Sequence, residues 1–310
     1  MVRELSTVDP VKSTRAVAET MAVIAATIAV ALIWWHPVTV AAAVILIGTR
    51  QQALFVLAHD AAHYRMQDNR RLNDLVGRVC GTLGGISMCT YRVIHRLHHN
   101  HLYGPQDPDI ALHGGYPRGT GYLPAKLAKD LCGLTAWKTY AYFFGAPALN
   151  TDTESAPRPL DDTAPGLRRA ARRDRWWVAG FHAAAPVAAF GLGWGVEYLV
   201  LWVLPLLTVL QAVLRLRAIC EHGAVGDLSS PLTAARTNLA PGWLRWLMFP
   251  HHVNYHIEHH MYPAVPHYNL PASHRAMAAH GLLDGAEVVP ITDTFGRIFA
   301  APRPRIAIAG

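Results

Sequence analysis

Two long apolar stretches follow one another near the start of the chain. Val17 to Trp35 carries one interior charge, Glu19, and Val38 to Ala58 carries one, Arg50. As helices, each is long enough to cross about 30 Å of hydrocarbon. Only His36 and Pro37 separate them, which predicts a tight helical hairpin. The length of the first stretch and its lack of an A-x-A context argue against a cleaved signal peptide. A second pair, Trp176 to Gly195 and Tyr198 to Leu214, is broken by GLGWGVEY. The pattern predicts an all-α membrane protein with four transmembrane helices in two hairpins, spanning about 17–35, 38–58, 176–195 and 198–214. An N-terminal segment (1–16), an integral membrane domain (17–285) and a C-terminal tail (286–310) follow from these boundaries. Between the hairpins, residues 72–145 alternate apolar runs with glycine breaks, and 122–144 reads as a helix lying along the membrane surface. Residues 146–166, rich in Pro, Asp and Thr, read as an exposed loop.

Composition agrees with a membrane protein: 52% of the 310 residues are hydrophobic and 16% charged, against roughly 25% charged in soluble domains. The four cysteines show no paired spacing, so neither a disulfide framework nor a zinc ribbon is indicated. Three Lys or Arg lie in residues 1–15, sixteen in 59–175, eight from 215 onward and one, Arg50, in the second span. Neither hairpin tip has any, so both termini and both polar regions are expected on the cytoplasmic side. The net charge of +7 then needs no nucleic acid, because the run LRRAARRDR at 167–175 stands before the third span, where basic residues attract anionic headgroups.

The polar positions that stand out are histidines, grouped as HDAAH (59–63), HRLHHNH (95–101) and HIEHH (256–260). Residues at i, i+3 and i+4 share one side of a helix, so His59 with His63, His95 with His98 and His99, and His256 with His259 and His260 form three facing sets. Neutral imidazole is a transition-metal ligand, and eight uncoordinated rings on common faces would be costly to bury. A tetrahedral zinc takes four ligands, so eight imply two metals with four or five ligands each. His222, just past the fourth span, is a ninth candidate. Single histidines (His36, His113, His182, His280) are expected to be structural or solvated, while His101, His251, His252, His267 and His274 stay open.

HDAAH, HRLHH and HIEHH resemble the three histidine boxes of the membrane fatty acid desaturase superfamily, which includes hydroxylases and carotenoid ketolases. QDPDI (106–110) and NYHIEHHMYPAVPHYNLPASH (254–274) resemble its bacterial fatty acid desaturases. The resemblance covers roughly residues 40–280. It implies a four-span bundle under a cytosolic helical cap, with a diiron centre held almost wholly by histidine. His59, His63, His95, His98, His99, His256, His259 and His260 match the box ligands, and His222 the additional one. Animal acyl-CoA desaturases have an asparagine four residues before that histidine, where this chain has Ala218.

The implied activity is O2-dependent desaturation of a long apolar acyl or lipid chain. Hydroxylation or ketolation of a lipid or terpenoid is the alternative on the same scaffold, and a membrane metal transporter or sensor the alternative of another class. Asp60, Asp107, Asp109, Glu221 and Glu258 are expected to orient ligand rings through their outer N–H groups. The chain has no dinucleotide fingerprint, haem-attachment motif or ferredoxin cysteine spacing, so electrons are expected from a separate ferredoxin or cytochrome-type donor. Its docking surface is expected near Arg65, Arg70, Arg71 and Arg78. The expected location is a bacterial inner membrane with the metal site cytoplasmic.

Overall fold

The computed structural model describes residues 2–144 and 165–302. The loop expected over 146–166 lies outside them except for Pro165 and Gly166, which open a helix.

The first hairpin consists of α1 (Pro10–Ile33) and α2 (Pro37–Ala62). α1 begins seven residues before the expected span because Asp9 caps it, accepting from the backbone N–H of Val11 and Lys12, with Pro10 in the first turn. His36 caps α2 in the same way through Nδ1. From Ile47 to Ala62 every residue of α2 is buried, so this helix is the axis around which the rest packs. α3 (Arg70–Leu83) crosses it at Gly77, where an added Cβ would come within 2.4 Å of the Ala61 side chain. α4 (Met88–His101) is capped by Ser87.

The helix expected over 122–144 is two: α6 (Tyr122–Leu131) and α7 (Ala136–Phe143), after the short α5 (Ile110–His113). Gly133, at φ +74°, breaks it, a conformation that glycine adopts without steric cost.

α8 (Pro165–Gly191) starts two residues before the basic run and ends four residues before the expected limit, followed by Gly193 at φ +81°. α9 (Gly195–His222) carries a π turn at Leu199–Val203, contains Pro205 and kinks at Thr208. Among the described residues, three helices, α1, α2 and α9, are long and apolar enough to cross a membrane; α8 carries its charges in its first eleven residues. Asp174 ties α8 to α3 and α4, accepting from Arg78 Nε (2.9 Å), Ser87 Oγ (2.8 Å) and the Cys89 N–H (3.0 Å).

Beyond α9, β1 (Thr237–Leu239) pairs in parallel with β2 (Val288–Pro290), Thr237 opposite Val288. α10 (Gly242–Met248), α11 (His256–Met261) and α12 (Leu270–Ala279) lie between the strands in sequence. The segment expected as a tail supplies β2 and α13 (Ile291–Ile298), whose Ile291, Thr294 and Ile298 are buried.

Candidate metal centre

The C-terminal end of α2, the C-terminal half of α4, the end of α9 and all of α11 converge. They bring together nine imidazoles in two groups: His59, His63, His95, His99 and His259 in one, and His98, His222, His256 and His260 in the other. Within each group the ring nitrogens available to a metal lie within 4.8 Å of one another.

The helical spacing explains how two boxes serve both groups. Positions i and i+4 diverge by about 40° and i+3 and i+4 by about 100° around a helix. His95 and His99 therefore face one group while His98 turns to the other. α11 does the reverse, sending His256 and His260 to the second group and His259 to the first.

The donor set fits metal ions. Nε2 atoms face one another in close pairs: His95–His99 at 2.9 Å, His99–His259 at 3.0 Å, His222–His256 at 2.8 Å and His256–His260 at 3.2 Å. A metal–imidazole bond of about 2.1 Å, the length known for zinc, puts ligands at right angles about 3.0 Å apart. His63 Nε2 is buried without a hydrogen-bond partner. Burial and the neighbouring imidazoles hold His63, His95, His99, His256, His259 and His260 well below the ordinary histidine range. That favours the neutral ring, the form that ligates.

The outer nitrogens have partners of their own. His98 Nδ1 lies 3.0 Å from Asp107 and 3.7 Å from Asp109. Burial opposes protonation of His98, but the hydrogen bond to Asp107 and the charges of Asp109 and Asp107 outweigh it, so the net shift is upward. His59 Nδ1 lies 3.3 Å from Asp60, which also accepts the His267 N–H at 2.9 Å. His222 Nδ1 is 3.1 Å from the Ala234 carbonyl oxygen, which fixes Nε2 toward the group. Glu221 is 3.8 Å from His256 Nδ1 and pairs with Arg217 at 3.3 Å.

Glu258 behaves differently from the expectation. Among the described residues it bonds none of the nine imidazoles; it accepts from Thr237 Oγ1 at 2.6 Å and pairs closely with His274. Its position on α11, turned away from the ligand face, aims it at β1 and α12, so it anchors the helix that carries the third box.

Three features were not anticipated from sequence. His113, expected to be structural or solvated in a loose segment, is 1% exposed and forms a compact group with His98 and Asp107, its Nε2 3.6 Å from the carboxylate. The Asp107–His113 separation has no helical period because it crosses a turn into α5. Tyr142 on α7 hydrogen-bonds Asp109. Tyr91 stacks on His95, ring centroids 4.9 Å apart. The expected basic docking patch is largely engaged: Arg78 binds Asp174, Arg65 binds the carbonyls of Ser6, His63 and Ala264, and Arg70 lies over the Tyr64 ring.

A cavity of about 290 Å³ borders both groups, touching His59, His95, His98, His222 and His256, with Phe55, Tyr91, Phe143 and Leu214 as apolar wall and Arg217 and Lys138 among its polar residues. A second cavity of about 390 Å³ lies between α7, α8 and the π turn of α9, with Val178, Pro186, Val203 and Leu206 in its wall. Phe143 lines both.

With this fold and this double cluster, the chain belongs to the fatty acid desaturase family, whose sequence profile matches residues 33–289. Individual relatives include dihydrorhizobitoxine desaturase of Bradyrhizobium elkanii, 26% identical over 239 residues, covering 75% of this chain and 65% of that protein. A chloroplastic omega-3 fatty acid desaturase of Glycine max is 28% identical over 252 residues, 72% of this chain and 51% of the relative. Beta-carotene 4-ketolase 3 of Haematococcus lacustris is 29% identical over 130 residues, 39% and 40% of the two chains. The chain thus spans from about half to just under two thirds of the length of the two desaturases.

Proposed function

We propose that the chain is a membrane oxidoreductase in which the nine imidazoles hold two irons and an aliphatic lipid or acyl chain is desaturated with O2. The observation that carries this reading is the pair of imidazole groups bordering one shared cavity. Neutral nitrogen donors suit divalent iron. When bound, two irons supply the reduction of O2 and the removal of hydrogen from an unactivated C–H bond.

The chain's own residues do the rest. Phe55, Tyr91, Phe143 and Leu214 give the cavity an apolar wall that suits an aliphatic chain. Asp107, Asp60 and the Ala234 carbonyl fix the rings of His98, His59 and His222. Tyr142 holds Asp109 at the cavity wall. The second cavity, beyond Phe143, offers room for the remainder of a long chain. The electrons come from a separate ferredoxin or cytochrome-type donor, since the chain carries no motif for a carrier of its own.

The membrane placement belongs to the same proposal. α8 from Trp176 onward is the third crossing, making four. Exposed tryptophans gather near helix ends: Trp34 and Trp35 after α1, Trp194 between α8 and α9, Trp176 and Trp177 at the start of the apolar part of α8, and Trp243 and Trp246 on the short α10. Tryptophan collects at both membrane–water interfaces. Exposed Leu72, Leu75 and Val79, on one face of α3, suit a helix lying in the metal-side interface. The basic run before Trp176 supports a cytoplasmic metal side, in our reading that of a bacterial inner membrane.

Ketolation or hydroxylation is a second reading, favoured by the algal ketolase relative. A transporter or sensor fits less well, because such proteins bind near the bilayer midplane and these ligands stand at the helix ends. Mass spectrometry of lipids from cells expressing the protein tests the reading. Acyl chains two hydrogens lighter support desaturation; chains one oxygen heavier support hydroxylation; unchanged lipids with an iron-loaded protein contradict both.

A further inference from the structure

Arg50, the one charged residue inside the second apolar stretch, has no part in the metal centre. It is 4% exposed. Its guanidinium lies over the Trp246 ring at 3.9 Å, donates from Nη2 to the Trp246 carbonyl oxygen, and reaches Thr49 Oγ1 from Nε at 3.4 Å. Among the described residues no carboxylate stands within ion-pair distance of it. Arg245, the residue just before Trp246 on α10, is also without a carboxylate partner among the described residues, and its Nε is buried with no hydrogen bond.

Both arginines border a cavity of about 270 Å³ enclosed by α1, α2 and residues 242–252. The carboxylate at its edge, Glu19, is engaged by Arg15 at 2.6 Å. His252, pushed down to about 4 by burial, and His251, also lowered by burial and hydrogen-bonded to Thr20 Oγ1 at 3.1 Å, add no charge. The wall therefore presents two guanidiniums with no free anion of its own. A buried cation without a counter-charge, such as Arg50, is costly, and a guanidinium's planar fork matches a phosphate. Trp243 and Trp246 flank Arg245 on the exposed side of α10, the pairing of aromatic rings and cations found at a membrane–water interface.

We propose that this cavity binds the phosphodiester headgroup of an anionic membrane lipid, held between Arg50 and Arg245. The lipid source rests on the membrane placement proposed above; the need for an anion rests on the cavity alone.

The test is native mass spectrometry of the full-length, iron-loaded protein released from detergent micelles carrying phosphatidylglycerol, phosphatidylcholine or inorganic phosphate. Phosphatidylglycerol should bind about 10-fold or more tightly than phosphatidylcholine, and Arg245→Gln should weaken it about 10-fold, the loss expected for one charged hydrogen-bond donor. Arg50→Gln should weaken it at least as much; because Arg50 also holds Trp246, the half-exposed Arg245 is the variant that decides if Arg50→Gln does not fold. Arg275→Gln, exposed on α12 outside the cavity, should leave binding unchanged. Equal binding of the two lipids, or wild-type binding by Arg245→Gln, overturns the proposal. Displacement of phosphatidylglycerol by equimolar inorganic phosphate overturns the lipid source. Iron content, read from the same spectra, separates the two readings: a wild-type protein that retains phosphatidylglycerol without iron keeps this site and loses the metal centre.

Discussion

Replacing Asp107 with asparagine should remove one metal of the two. Asp107 is buried, and both its oxygens are used: Oδ1 lies 3.0 Å from His98 Nδ1 and accepts the Asp109 N–H at 2.9 Å, while Oδ2 accepts the Tyr103 N–H at 2.9 Å and faces His113. An asparagine side chain has one acceptor oxygen, so its NH2 must point either at His98 or at the Tyr103 N–H. The second arrangement leaves a buried donor unpaired, at a cost of about 1–3 kcal/mol. The first removes the acceptor that orients the ring. Either way the negative charge behind His98 is lost. Loss of such a partner typically lowers metal affinity about 10-fold to 100-fold, or about 1.4–2.8 kcal/mol. His98 belongs with His222, His256 and His260, so the effect should fall on that group. Iron measured by plasma mass spectrometry across a chelator series should drop from two toward one per chain at concentrations that leave wild type loaded, with a circular-dichroism melt as folding control. Asp60→Asn, behind His59 in the other group, should empty the complementary position. A wild-type chelator profile for Asp107→Asn, or simultaneous loss of both irons, would refute the reasoning.

Four further outcomes are expected. His222→Ala removes one of four imidazoles from its group and should lower iron content and turnover together; full activity with normal iron would leave an eight-histidine site. Glu258→Gln disturbs the contacts to Thr237 and His274 but touches no ligand ring, so its melting temperature should fall while iron per folded chain stays at the wild-type level, unlike His259→Ala made in parallel; equal iron loss in the two would contradict the anchoring role. Phe143→Ala joins the two cavities it lines and should shift the chain-length distribution of products, read by lipid mass spectrometry; an unchanged distribution would mean the second cavity takes no substrate. Gly48→Ala places a Cβ 2.5 Å from that of Val209 and should cost about 1–3 kcal/mol, measured by thermal unfolding; wild-type stability would show that α2 and α9 separate freely.

The histidine cluster was legible in sequence because its members obey a helical period. HDAAH, HRLHH and HIEHH each lie at the end of a helix or on a short one, so spacing alone put their rings on shared faces. The division into two groups was not legible, since it depends on how α4 and α11 face each other across the centre. His113 and Tyr142 escaped for the same reason: they reach Asp107 and Asp109 through the turn into α5 and the packing of α7. The helices α1 and α2 could be read from their apolar runs, with the Asp9-Pro10 cap starting α1 seven residues before its run. In α9, the π turn at Leu199–Val203 and the kink at Thr208 let one helix run from Gly195 to His222, well past the expected limit at Leu214. The parallel pairing of Thr237–Leu239 with Val288–Pro290 joins three-residue segments about fifty positions apart, too short to leave a periodic signal.

The central claim is that nine imidazoles on four helices hold two irons. It is tested most directly by metal analysis of the purified, active-fold protein against its concentration from quantitative amino-acid analysis. The account predicts about two irons per chain. A single metal per chain, or exchangeable zinc in place of iron, would contradict it.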